Sequence, residues 1–144
     1  MPKPKNEGYL GNINVKRQGV SEEWTDDKVQ EYLRCTRDPS YFISTYLKII
    51  SLDEGLVPFK LYDYQENLIE HFNDNRFSIV LACRQSGKSI TVCAYLLWYL
   101  LFHPEQTVAI LANKGATARE MLSRITTMLE NCLLYTSPSP RDTE

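Results

Sequence analysis

Residues 92–102 form an unbroken apolar run of eleven, three positions beyond the string Gly87-Lys88-Ser89. A membrane span needs about twenty such residues, so the run predicts a helix buried in a protein core. Upstream of the string and four residues short of it, residues 78–82 read Ser-Ile-Val-Leu-Ala. They are short, apolar and β-branched, as a strand buried on both faces should be. His103-Pro104 ends the helix, because a residue before proline is pushed out of helical geometry. Residues 107–112, Thr-Val-Ala-Ile-Leu-Ala, then read as a second buried strand. Thr117-Ala118-Arg119-Glu120 has the spacing of a capping box, before a helix with Met121, Leu122, Ile125, Met128 and Leu129 at helical intervals. Strand, helix, strand, helix predicts an α/β fold built on a parallel sheet.

A helical region is expected ahead of it. Thr25 is a candidate cap for a helix with Val29, Tyr32 and Leu33 on one side. Asp38-Pro39 is a cap followed by proline at the first helical position. Tyr41, Phe42, Thr45, Tyr46 and Ile49 would share a face of that second helix. Residues 49–59, with Gly55 and Pro58, read as a turn with short extended pieces. Asp63 would cap a third helix bearing Leu68, Ile69 and Phe72, ended by Asn73-Asp74-Asn75.

The segment Ala82-Cys83-Arg84-Gln85-Ser86-Gly87-Lys88-Ser89 matches the Walker A pattern at its last three positions, with Ala82 where glycine is usual. Gly-Lys-Ser/Thr alone arises by chance in about one chain in fifteen of this length, so its context carries the weight: a buried strand before it and a long helix after it. In such a loop, backbone N–H groups at a helix N-terminus cradle phosphate oxygens. Gly87 permits close approach, Lys88 would reach the β- and γ-phosphates, and Ser89 would offer its hydroxyl to Mg²⁺. Arg84 has two readings from chemistry alone. It either curls onto the γ-phosphate as a finger in cis or pairs with a surface carboxylate.

Four blocks resemble the large terminase subunit of tailed bacteriophages, T-even type. They are Asp38-Pro39 with Tyr41-Phe42 and Tyr46-Leu47-Lys48-Ile49; Leu56-Val57-Pro58-Phe59-Lys60-Leu61 ending in Tyr64-Gln65; Cys83-Arg84-Gln85-Ser86-Gly87-Lys88-Ser89; and Leu111-Ala112-Asn113-Lys114-Gly115 with Glu120. The Arg-Gln-x-Gly-Lys loop is the specific one. Cys83 replaces the serine common in that family. The resemblance implies a RecA-like P-loop ATPase, incomplete here, that drives double-stranded DNA into a procapsid, with a nuclease domain further on. It implies ATP and Mg²⁺ as cofactors. It gives Gln65 an adenine contact, Arg84 the Walker A arginine role, and Cys83, Gln85, Ser86, Gly87, Lys88 and Ser89 the phosphate site, with Ser89 on the metal. The implied partners are DNA, a portal protein, a small terminase subunit and further copies in a ring. The implied place is the host cytoplasm at the portal.

No four apolar residues followed by Asp-Glu occur in the chain, so a Walker B motif is missing. The second metal contact and the carboxylate base are expected beyond Asn131, and the chain by itself is expected to bind ATP weakly at most. A superfamily-2 helicase also pairs an upstream glutamine with Gly-Lys-Ser/Thr, but usually in a more glycine-rich loop. A P-loop-like binding module without hydrolysis is the third reading. Lys114, Arg119 and Arg124 are the nearest cationic candidates for DNA, although a solvated helix face explains each of them.

Expected organisation is a flexible basic arm at 1–20, a helical region at 21–60, and a partial P-loop domain at 61–131. Residues 132–144 include Tyr-Thr-Ser-Pro-Ser-Pro-Arg-Asp, resembling one reading frame of a sequencing adapter. A Ser/Pro-rich linker after a helix end is the plainer reading. The adapter reading sets 132–144 aside and makes the native part a fragment. At 144 residues, 24% charged and a net charge of −2, the composition disfavours wholesale disorder and offers no overall attraction to nucleic acid. The N-terminus lacks an apolar secretory segment, and the four cysteines lack metal-ligand spacing, so free thiols in a reducing compartment are expected. A two-stranded parallel piece would leave apolar surface in water, predicting poor solubility.

Overall fold

The structure, a computed structural model, describes residues 23–132. The predicted arm at 1–20, and the predicted tail apart from Cys132, lie outside the described residues.

Helix α1 (Asp26–Arg37) starts where expected: Thr25 Oγ1 accepts from the Lys28 amide at 3.4 Å, and Asp26 and Asp27 face the positive end of the helix dipole. Helix α2 (Pro39–Tyr46) is capped by Asp38, whose Oδ1 accepts from the Tyr41 amide at 3.1 Å. It ends before Ile49, contrary to the sequence expectation. Leu47 turns extended, and Ile49 enters strand β1 (Lys48–Ser51), where a β-branched side chain finds a cross-strand partner. Strand β2 (Gly55–Pro58) pairs antiparallel with β1, with Ile49 opposite Val57. Gly55, at φ +75°, closes the turn through Leu52, Asp53 and Glu54. Helix α3 (Asp63–Asp74) begins one residue earlier than predicted, with Tyr62 as cap, because Gln65 Oε1 takes the Tyr62 amide at 2.9 Å.

Helix α4 (Lys88–Phe102) is the apolar run and lies at the centre of the core. Trp98 Nε1 donates to the Cys35 carbonyl at 2.8 Å, tying α4 to α1. The Phe102 ring meets Phe42 of α2 at 5.0 Å and Tyr32 of α1 at 5.2 Å, while Tyr95 meets Phe72 of α3 at 5.5 Å. Helix α5 (Gly115–Glu130) covers another side, and its Ile125 and Met128 share the core with Cys93, Ala94 and Leu97. Lys114, not Thr117, is the cap of α5. The Thr117 and Ala118 amides already bond the Lys114 carbonyl, so Thr117 lies inside the first turn and the predicted capping box does not form. Cys132 is buried in the same core.

The chain thus mixes helix and strand, but the predicted parallel sheet is not formed. Among the described residues the only ladder is the antiparallel β1–β2 pair. Segments 78–82 and 107–112 are irregular. Ile79, Leu81 and Leu111 stand 98%, 101% and 90% exposed, while Val80 and Ile110, on the opposite side of the alternation, are less so. The cause is that a strand, unlike a helix, satisfies its backbone groups only through neighbours. Neither segment has a ladder partner among the described residues. Among those residues, no helix is long and apolar enough to cross a membrane.

Candidate phosphate-loop site

Segment 82–87 turns tightly into α4. Two residues take positive φ, Gln85 at +59° and Gly87 at +76°. Such alternation of backbone hand makes successive N–H groups converge, the geometry of an anion-binding nest. The turn is held from inside: Ser86 Oγ donates to the Cys83 carbonyl at 2.9 Å. Lys88 Nζ folds back over the loop and donates to the carbonyls of Ala82 and Cys83 at 3.2 and 3.1 Å. An ammonium held on uncharged carbonyls keeps its whole charge available to an incoming anion.

Helix α3 secures the loop from the other side. The Tyr64 hydroxyl donates to the Ser86 carbonyl. Gln65 is 2% exposed, and Nε2 of its amide donates to Thr91 Oγ1 at 2.8 Å and, more weakly, to the Gly87 carbonyl at 3.4 Å. Its Oε1 is occupied by the Tyr62 amide. Thr91, fully buried in the second turn of α4, donates its hydroxyl to the Gly87 carbonyl at 2.7 Å. Loop, α3 and hairpin flank an open pocket of about 610 Å³, with Tyr62, Tyr64 and Gln65 on one wall and Gln85, Ser86 and Gly87 on another. The Tyr62 and Tyr64 rings are nearly parallel, at 9° and 5.9 Å between centroids, and both are exposed.

The fold therefore brings Gln65, Gln85, Ser86 and Gly87, expected from sequence, to one pocket, with Lys88 beside it as the first residue of α4. Cys83 is an exposed free thiol. Arg84 is exposed at the turn, and no carboxylate pairs with it among the described residues. Ser89 is the second residue of α4 and half-buried. Among the described residues, no group of three or more His, Cys, Asp or Glu could hold a metal independently. Of the cationic candidates on α5, Arg124 pairs with Glu120 at 2.7 Å, and the Arg119 guanidinium lies against Gly115.

Sequence reasoning missed Thr91 and the tyrosine pair. A threonine four residues after the loop glycine carries no distinctive signal, since helical threonines commonly bond the carbonyl one turn back. Tyr62 has no pattern that separates it from a surface tyrosine. No protein-family model matches the chain.

Proposed function

We propose that this chain is the nucleotide-binding front part of a large terminase subunit of a tailed phage, the ATP-driven motor that packages double-stranded DNA. The observation that carries the reading is the convergence of the Gln85-Ser86-Gly87 turn, with Lys88 next in the chain, and the Tyr64-Gln65 helix on one pocket of about 610 Å³. That volume lies within the range of small-molecule sites, about 300–1,000 Å³. In this reading the loop amides, Lys88 and Arg84 would hold the phosphates, and Ser89 would offer its hydroxyl to Mg²⁺. The base enters the cavity beside Tyr64 and Gln65. Magnesium supplies charge neutralisation across the phosphates. The bare faces of 78–82 and 107–112 agree with a sheet whose other strands belong to a longer protein. That protein would carry the Walker B carboxylates, the nuclease and the contacts to DNA, portal and small subunit.

The test is binding of a fluorescent ATP analogue to the 144-residue chain, with and without Mg²⁺. Saturable binding that Lys88→Ala weakens at least tenfold, without detectable hydrolysis, is the expected result. Absence of binding at millimolar nucleotide, or binding indifferent to Lys88, removes the assignment. Extending the reading frame past codon 131 supplies an independent check: an apolar run ending in Asp-Glu is expected there.

A further inference from the structure

Gly87 caps α4 without any side-chain cap of its own, yet its carbonyl is the most heavily engaged group of the loop. It accepts from the Thr91 amide at 3.1 Å, the Thr91 hydroxyl at 2.7 Å and the Gln65 amide nitrogen at 3.4 Å. Gln65 and Thr91 are also bonded to each other, and both are buried. Among the described residues no buried side-chain nitrogen or oxygen in this cluster is left without a partner. The fit is close: a Cβ on Gly87 would lie 2.8 Å from Gln65 Nε2.

The peptide between Gly87 and Lys88 is planar and trans, so its C=O and N–H point in opposite directions. Fixing the Gly87 carbonyl toward Thr91 and Gln65 therefore fixes the Lys88 N–H toward the open side of the nest, where an anion would sit. We propose that Gln65 and Thr91 are positioning residues that clamp the Gly87–Lys88 peptide and preset the loop for phosphate. Gln65 then acts on the phosphate end of the ligand through Thr91 and Gly87, rather than on the base alone. Both hydrogens of its Nε2 are engaged inside the protein, so donation to a base requires giving up one of these contacts, whereas Oε1, which holds only the Tyr62 amide, keeps a second lone pair. The inference rests on the nucleotide-binding reading above and deepens it.

The test separates phosphate from base. Binding of Mg²⁺-tripolyphosphate and of adenosine is measured by calorimetry on the 144-residue chain and on Thr91→Val, Thr91→Ser and Gln65→Ala. Thr91→Val is nearly isosteric and removes both hydroxyl bonds, whereas Thr91→Ser keeps them. The clamp predicts that Thr91→Val and Gln65→Ala each weaken tripolyphosphate about threefold to tenfold. Thr91→Ser should restore wild-type affinity, and Thr91→Val should leave adenosine unchanged. Unaltered tripolyphosphate affinity in Thr91→Val, or a Gln65→Ala loss confined to adenosine, overturns the clamp. If the wild-type chain binds neither ligand, the nucleotide reading fails by itself. The clamp is then decided by amide hydrogen exchange across residues 84–91. Faster exchange in Thr91→Val than in Thr91→Ser upholds it, and equal rates overturn it.

Discussion

Replacing Gly87 with alanine adds one methyl group at a backbone φ of +76°, with Gln65 Nε2 only 2.8 Å from the new carbon. Two costs follow. The left-handed conformation is unfavourable for an L-residue by roughly 1–2 kcal/mol. The methyl also displaces the Gln65 amide from Thr91 and from the Gly87 carbonyl, about 1 kcal/mol for the bonds lost. Alanine restricts the unfolded chain and offsets about 0.4–1 kcal/mol. The net destabilisation is about 2 kcal/mol. Gly55 supplies the control, since it has nearly the same φ, +75°, and nothing within 4 Å of its missing Cβ. Gly55→Ala therefore carries the conformational cost alone, about 1 kcal/mol or less after the same offset. The difference isolates the contact with Gln65. Urea unfolding followed by fluorescence of Trp98, which is buried between α1 and α4, measures both variants. An unchanged denaturant slope licenses the comparison. Equal losses for the two glycines would refute the argument that Gln65 is pressed against the loop backbone. So would a Gly87→Ala loss that persists undiminished in a Gln65→Ala background.

Three further outcomes are expected. Glu31 accepts hydrogen bonds from the hydroxyls of Tyr41 and Tyr46, each at 2.6 Å, and these bonds hold its carboxyl below the ordinary 4.5. A depressed folded value means the contribution is present above the unfolded value and is lost as pH falls through the folded one. The melting temperature should thus decline on acidification below about 4.5, and Glu31→Gln should flatten that decline; an identical slope in the variant counts against the bridge. Ile79 and Leu81 are bare to solvent, so the chain should self-associate as its concentration rises, and Ile79→Lys with Leu81→Lys should shift sedimentation toward monomer without lowering the melting temperature. A wild-type chain monomeric at high concentration contradicts this. Of the four cysteines, Cys83 is exposed while Cys35, Cys93 and Cys132 are buried, and burial pushes the Cys35 thiol up to about 12. One thiol should react quickly with an aromatic disulfide reagent and vanish in Cys83→Ser; two or more fast thiols would refute the packing of the core cysteines.

Much of the helical framework was legible because helical bonding is local. Asp38-Pro39 starts α2 where such a pair should, and the run at 92–102 lies within the helix it implied. The boundaries that moved did so for tertiary or neighbouring reasons. Ile49 left α2 because Val57 lies opposite it in the hairpin, and α3 begins at Asp63 because Gln65 takes the Tyr62 amide. In the site, the sequence pointed to Gly87-Lys88-Ser89 as a candidate loop, but the burial of Gln65 and its bond to Thr91 join residues that no spacing rule connects.

Segments 78–82 and 107–112 mark the limit most plainly. Their composition states a capacity for strand, and the alternating exposure around Ile79, Val80 and Leu81 keeps that period. Pairing is a property of two segments at once, so composition alone does not supply the partner. The amino-acid sequence by itself determined where α1 and α2 start, which helix faces are apolar, and that a lysine follows a glycine at the head of the most apolar helix. Each of these depends on residues within about a turn of each other. Only the tertiary structure decided that this glycine is clamped from a different helix, and that the two strand-like segments remain unpaired among the described residues. Those outcomes depend on hydrogen bonds closed between distant parts of the chain, whose geometry is set by the packed core.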